Sequence, residues 1–143
     1  MARFKIYKKL KWLNELAEPD ALAVFLACSG SAVWARLMTS ARPFALVENL
    51  FSSAAAIWFS LDWADQAQAF IYDSRSAENE LRTARNLYEQ KFGFAFVAAA
   101  NSDDELLAIC RARFGNSIET ERRIAAEEHL KKIESKLEEL LER

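Results

Sequence analysis

In NLYEQKFGFAFVAAANSDDELLAICRARFGN, residues 86–116, two helical runs flank an apolar segment, and each boundary carries its own chemical signal. Gly93 ends the first run, because a residue without a β-carbon enters the left-handed conformation that closes a helix at little cost. The next seven residues, FAFVAAA from Phe94 to Ala100, are too short for their period to separate helix from extended chain, so a buried connector or short helix is expected. Ser102 and Glu105 then have the reciprocal capping-box spacing. The helix they open runs to Phe114 and is expected to close with Gly115 in the C′ position.

The same alternation continues outward in both directions. Upstream, Ser76–Phe92 keeps the helical period, while IYDSRSA (Ile71–Ala77) loses it and gathers turn formers, which marks a loop where functional side chains are expected. Before that loop, Asp62 can cap a helix reaching Phe70, and an alanine-rich helix spans Leu46 to about Phe59. Ser31 is a natural cap for a helix ending near Ala41, since Arg42 precedes Pro43. A helix over about Asp20–Cys28 is apolar nearly all round, and Phe4–Ala17 carries its apolar residues at steps of three until Pro19 interrupts. Downstream, a last helix begins near Ser117. In it Ala126, Leu130, Ile133, Leu137 and Leu140 form a seam for another helix, within the chain or across a dimer.

Composition agrees with an all-α reading. The 143 residues suffice for one domain with a sizeable core, 52% of them are hydrophobic, and only 3 Gly and 2 Pro are present, against disorder and turn-dense β architectures. A single helical domain over residues 1–143, a bundle of about eight helices, is therefore expected, with Trp34, Phe44, Trp58, Phe70, Tyr88, Phe92 and Phe96 in its core. A net charge of −2 argues against a nucleic-acid partner. The basic opening (Arg3, Lys5, Lys8, Lys9, Lys11) reads as a first helix whose lysine stems cover its own core. No apolar run approaches a membrane span, and the N-terminus lacks a signal-peptide pattern, so a cytoplasmic protein is expected. Cys28 and Cys110 have no metal-ligand spacing and read as buried thiols, and with one histidine no multi-histidine metal site is expected. That histidine, His129, stands among Glu127, Glu128, Lys131 and Lys132 and is expected on a solvated face.

Several spaced motifs together resemble the OHCU decarboxylase family, whose substrate is 2-oxo-4-hydroxy-4-carboxy-5-ureidoimidazoline. Gly30-Ser31-x-x-Trp34-Ala35 with Arg42-Pro43-Phe44 is similar to its GSxxWA and RPF landmarks, followed by Trp58 and Ala69-Phe70. Asn86-Leu87-Tyr88-Glu89, Lys91-Phe92-Gly93-Phe94 and Phe96-Val97 resemble its NxxYExKFGFxFVV stretch, one spacer residue shorter. Arg113-Phe114-x-Asn116 resembles RLxN, and Lys132-Ile133 the terminal KI helix. The resemblance implies an all-helical, cofactor-independent carboxy-lyase of urate catabolism, commonly a homodimer. Such an enzyme decarboxylates a small ureido acid and protonates the carbanion to give (S)-allantoin.

It also locates candidate site residues. Where the family carries His-Pro-Arg-Ile-Gly, this chain has Asp73-Ser74-Arg75-Ser76-Ala77, so Asp73 stands at the histidine position and Arg75 is retained. The family's Glu-Gln helix has no room before Asn86, leaving Glu78 or Glu80 to stand in. Arg113 offers a guanidinium fork for a carboxylate or ureido oxygen; its alternative is a helix-terminal arginine satisfied by carbonyls and a nearby carboxylate. Phe96 and Val97 can offer backbone amides to a ligand or serve as a buried connector, and Arg42 is expected to brace a helix end. Two functions follow: a decarboxylase using Asp73, Glu78 and Arg113, or a non-catalytic homologue serving as a ligand-binding or protein-interaction module.

Overall fold

The computed structural model describes residues 2–70 and 79–143, so Asp73, Arg75, Glu78 and the expected loop over Ile71–Ala77 lie outside the described residues. Within them the regular structure is all helix, with no strand: α1 (Ala2–Glu15), α2 (Glu18–Ser29), α3 (Ala32–Ala41), α4 (Val47–Ser60), α5 (Trp63–Gln68), α6 (Asn79–Phe92), α7 (Asp103–Arg113) and α8 (Ile118–Glu142). The helices group into two compact units, Met1–Ala69 with Lys132–Arg143, and Phe70–Lys131. Among the described residues no helix is long and apolar enough to cross a membrane.

The first unit is assembled by polar groups that finish helix ends. Gly30, at φ 74°, closes α2 and donates its N–H to Leu26 O at 2.8 Å. One residue on, Ser31 Oγ accepts from the Trp34 amide at 3.1 Å and starts α3. The Trp34 indole then donates to Ala54 O on α4 at 3.1 Å, and its ring takes the edge of Phe25 from α2 at 5.7 Å. Arg42 braces a helix end as expected: Nη1 donates to Leu13 O at 3.0 Å and Leu16 O at 2.8 Å at the C-terminus of α1, and Nε to Thr39 O at 3.1 Å. Asn14 bonds both backbone groups of Phe44, each at 2.9 Å.

In the second unit Gly93, at φ 84°, ends α6. Residues 94–98 then run as a buried connector without helix, resolving the ambiguity of that apolar segment. Tyr88 is surrounded by Phe92, Phe94 and Phe96 at centroid distances of 4.5, 5.9 and 5.2 Å. All seven expected core aromatics are buried.

Four local expectations differ from what is found. Helix α5 stops at Gln68, short of Phe70, and its N-cap Asp62 contributes a carbonyl to Gln66 N–H rather than a side-chain bond. Ser102 Oγ does accept from Glu105 N–H at 3.2 Å, but the Glu105 carboxylate reaches back to Asn101 N–H, one residue earlier than the reciprocal box requires. Gly115 is not left-handed, because Phe114 N–H to Cys110 O and Asn116 N–H to Arg113 O already satisfy the end of α7. His129 is 8% exposed, its ring 5.4 Å from Phe70, because the turn of α8 that bears it faces aromatic packing rather than water. The seam of α8 is buried within the single chain. Cys28 and Cys110 are buried, and burial pushes both thiols up from their ordinary range.

Because one guanidinium serves the last carbonyls of α1, Arg42→Ala is expected to lower the unfolding free energy by about 1–3 kcal/mol. Urea denaturation followed by circular dichroism measures it, and an unchanged midpoint contradicts it.

Candidate functional site

The second unit is organised around a charge pair with almost no access to water. Arg113 ends α7, Glu121 lies in the first turns of α8, and the turn at Gly115–Asn116 folds one back onto the other. Glu121 is 0% exposed. Its Oε1 accepts Arg113 Nε at 2.9 Å, Arg113 Nη2 at 2.8 Å and the Tyr88 hydroxyl at 2.5 Å, while Oε2 accepts Asn116 Nδ2 at 2.8 Å. A carboxylate so buried survives ionised only if hydrogen bonds replace its water. Burial alone would raise its pKa, but the bonds from Arg113, Tyr88 and Asn116 outweigh that and hold it below the usual 4.5. Burial first, and then the proton held toward Glu121, push the Tyr88 phenol up.

The guanidinium of Arg113 is nearly saturated. Besides Glu121, Nη2 reaches the Tyr88 hydroxyl at 3.3 Å, Nη1 donates to Val97 O at 2.7 Å, and the group lies over the Phe96 ring, 4.8 Å from its centroid. A guanidinium has five N–H donors, so only the second Nη1 hydrogen is uncommitted among the described residues. This is the arrangement of a helix-terminal arginine meeting a carbonyl and a carboxylate.

Val97 therefore offers Arg113 its carbonyl, and Phe96 lies beneath the cation. The amide N–H groups of Ala95, Phe96, Val97 and Ala98 donate to no partner among the described residues, although these residues are buried. Glu80, the alternative to Glu78, is 72% exposed on α6 and sits 3.6 Å from Arg111. That pair stands beside a cleft of about 470 Å³ between α6 and α7, lined by Ala84, Leu87, Cys110 and Phe114, and none of the Arg113 network lines it. No group of three His, Cys, Asp or Glu side chains gathers as a metal site among the described residues.

Glu121 was not visible as a site residue in sequence, where it reads as one of the acids that suit a helix N-terminus. Its spacing of eight from Arg113, across a Gly-Asn turn, was the available signal.

Residues 63–136 match the family model described as OHCU decarboxylase, which is half of the chain. The chain belongs to the OHCU decarboxylase family. It is similar to a crystal structure of an OHCU decarboxylase determined in the presence of (S)-allantoin, with a TM-score of 0.74 and 27% identity over 83% of this chain and 97% of that one. A crystal structure of an (S)-allantoin synthase superposes with a TM-score of 0.73 at 17% identity, covering 92% of this chain and 53% of the other, a likeness of fold. No curated protein matches the chain significantly. The family implied by the spaced motifs and the all-helical fold thus stand together.

Glu121→Ala, which strands a buried guanidinium, is expected to cost about 3–5 kcal/mol at pH 7. The sign with pH follows from the lowered pKa of Glu121: its stabilisation is complete above the ordinary value of 4.5 and is lost as pH falls through the folded-state value. Chemical denaturation of wild type and variant across that range should show a gap that narrows in acid; a gap independent of pH contradicts the pairing.

Proposed function

We propose that this chain, acting as one OHCU-decarboxylase-like domain, binds OHCU or a related ureido acid and decarboxylates it slowly toward (S)-allantoin, within purine catabolism. The observation that carries this reading, in a chain of this family, is the set of amide donors on the buried residues Ala95–Ala98, unpaired among the described residues. Ring and ureido oxygens are acceptors that such donors suit. The cation for the substrate carboxylate is assigned to Arg75, since the charge of Arg113 is neutralised by Glu121. In the reaction the bond to the carboxylate carbon breaks, CO₂ leaves, and the electron pair stays on the ring carbon until a proton is delivered to one face. Asp73 or Glu78 supplies that proton in this reading, with no cofactor.

The second reading, a non-catalytic homologue that binds a ligand or a protein, is favoured by Asp73 itself. An ordinary aspartate, with a pKa of about 3.9, is ionised at neutral pH and repels a carboxylate, whereas histidine can both give and take a proton there. A homodimer in the cytoplasm belongs to the same proposal. The α8 seam is buried in one chain, so the pairing face lies elsewhere.

OHCU generated enzymatically from urate, with (S)-allantoin followed by circular dichroism, tests the reading. Loss of a general acid–base group is worth roughly 100- to 10,000-fold, so slow turnover is expected, with a partial gain in Asp73→His. Wild-type turnover of roughly 1–1000 per second would contradict the role given to Asp73. No turnover by either protein, with ligand still bound, would favour the non-catalytic homologue.

A further inference from the structure

The buried pair does more than close a charge. Arg113 spends a strong hydrogen bond on the carbonyl of Val97, in the middle of a connector that has neither helix nor strand to hold it. Segments of this kind are ordinarily fixed by their own backbone bonds. Among the described residues the backbone of Ala95–Ala98 makes one hydrogen bond, and it is this one from the Arg113 side chain. Its position therefore follows that of the guanidinium, which is set on one side by Glu121 and Tyr88 and on its face by Phe96. Glu121 is in turn oriented through its second oxygen by Asn116.

We propose that Glu121, acting through Arg113, is a positioning residue that sets the backbone of Ala95–Ala98 as the recognition edge for the acceptor oxygens of a ureido ligand. This rests on the proposed function for the identity of the ligand, but the mechanical part, carboxylate to guanidinium to carbonyl, stands on the geometry alone. Neither side chain needs to touch the ligand. The assignment differs from Arg113 as the direct anchor of a substrate carboxylate, and the two make opposite predictions. If Arg113 gripped the substrate, removing the negative charge of Glu121 would free the cation and tighten binding of an anion. If Arg113 positions the connector, the same change loosens the edge and weakens binding.

The experiment uses the full chain with Glu121→Gln and Arg113→Lys, at a temperature where each is folded by circular dichroism. Hydrogen–deuterium exchange is read on peptides covering residues 93–100. KM and kcat are measured with OHCU, and Kd with (S)-allantoin. Both variants should raise exchange over this segment, and weaken OHCU and (S)-allantoin about tenfold with kcat within about twofold of wild type, the signature of lost uniform binding. Should Glu121→Gln fail to fold, Asn116→Ala removes only the Oε2 contact and should shift the same readouts in the same direction by less.

Tighter ligand binding by Glu121→Gln overturns the proposal in favour of direct anchoring. A lowered melting temperature with unchanged exchange at 93–100 and unchanged affinity overturns it in favour of a purely structural pair. If wild type binds neither compound while exchange still rises in the variants, the proposed function and the ligand-facing role of the edge both fail, and only the mechanical coupling remains. Unchanged exchange overturns the coupling whether or not ligand binds.

Discussion

A carboxylate with no access to water, Glu121, must be matched bond for bond, and the second unit is built around doing so. Its partners come from three places in sequence: Tyr88 on α6, Arg113 at the end of α7 and Asn116 in the turn before α8. Removing any one leaves a buried polar group whose desolvation is no longer compensated, which costs more than the bond itself contributed. The pair therefore joins three helices and, through Val97 O, the connector between two of them. The aromatic shell of Tyr88, Phe92, Phe94 and Phe96 excludes water from the same place and strengthens every bond in it.

This arrangement bears on chemistry because it uses up the positive charge that bonds the connector. A guanidinium already holding a carboxylate, a phenol and a carbonyl offers little to an incoming anion. In the proposed reading what the unit offers a ligand is neutral: the peptide N–H groups of Ala95–Ala98, which have no partner among the described residues. Neutral donors discriminate by shape and acceptor placement more than by charge, which suits a ureido-substituted ring better than a simple carboxylate. In the proposed reaction proton transfer is assigned to Asp73 or Glu78, with Asp73 standing where the resemblance places the family's histidine.

Much of the fold was legible because local chemistry and tertiary structure agree. Ser31, Gly93 and Ser102 end or begin helices for reasons contained in a few neighbouring residues, and each does so in the structure. Arg42 before Pro43 announced a helix-end brace, although which carbonyls it would reach needed the fold. Where the outcome depends on partners distant in sequence, local pattern misled. Glu121 sits in a helix start rich in acids, where solvent exposure is the ordinary fate, and only the return of α7 toward α8 buries it. His129 has charged neighbours along the chain but an aromatic neighbour in space, Phe70. Gly115 has the residue type of a left-handed cap, yet the turn after α7 is tightened by ordinary backbone bonds and does not use it. The site was half visible for the same reason: Arg113, Phe96 and Val97 stood out by type and motif, whereas the carboxylate that decides what Arg113 can do did not.

The central claim, that the backbone edge held by the buried pair is where the ligand is read, is tested most directly by amide NMR of the wild-type protein. The resonances of Ala95, Phe96, Val97 and Ala98 are followed as (S)-allantoin is added. Saturable shifts concentrated at these amides, with the exposed face of α1 unaffected, are the predicted result. Resonances that stay in place as (S)-allantoin is raised, or saturable shifts confined to other parts of the chain, contradict it.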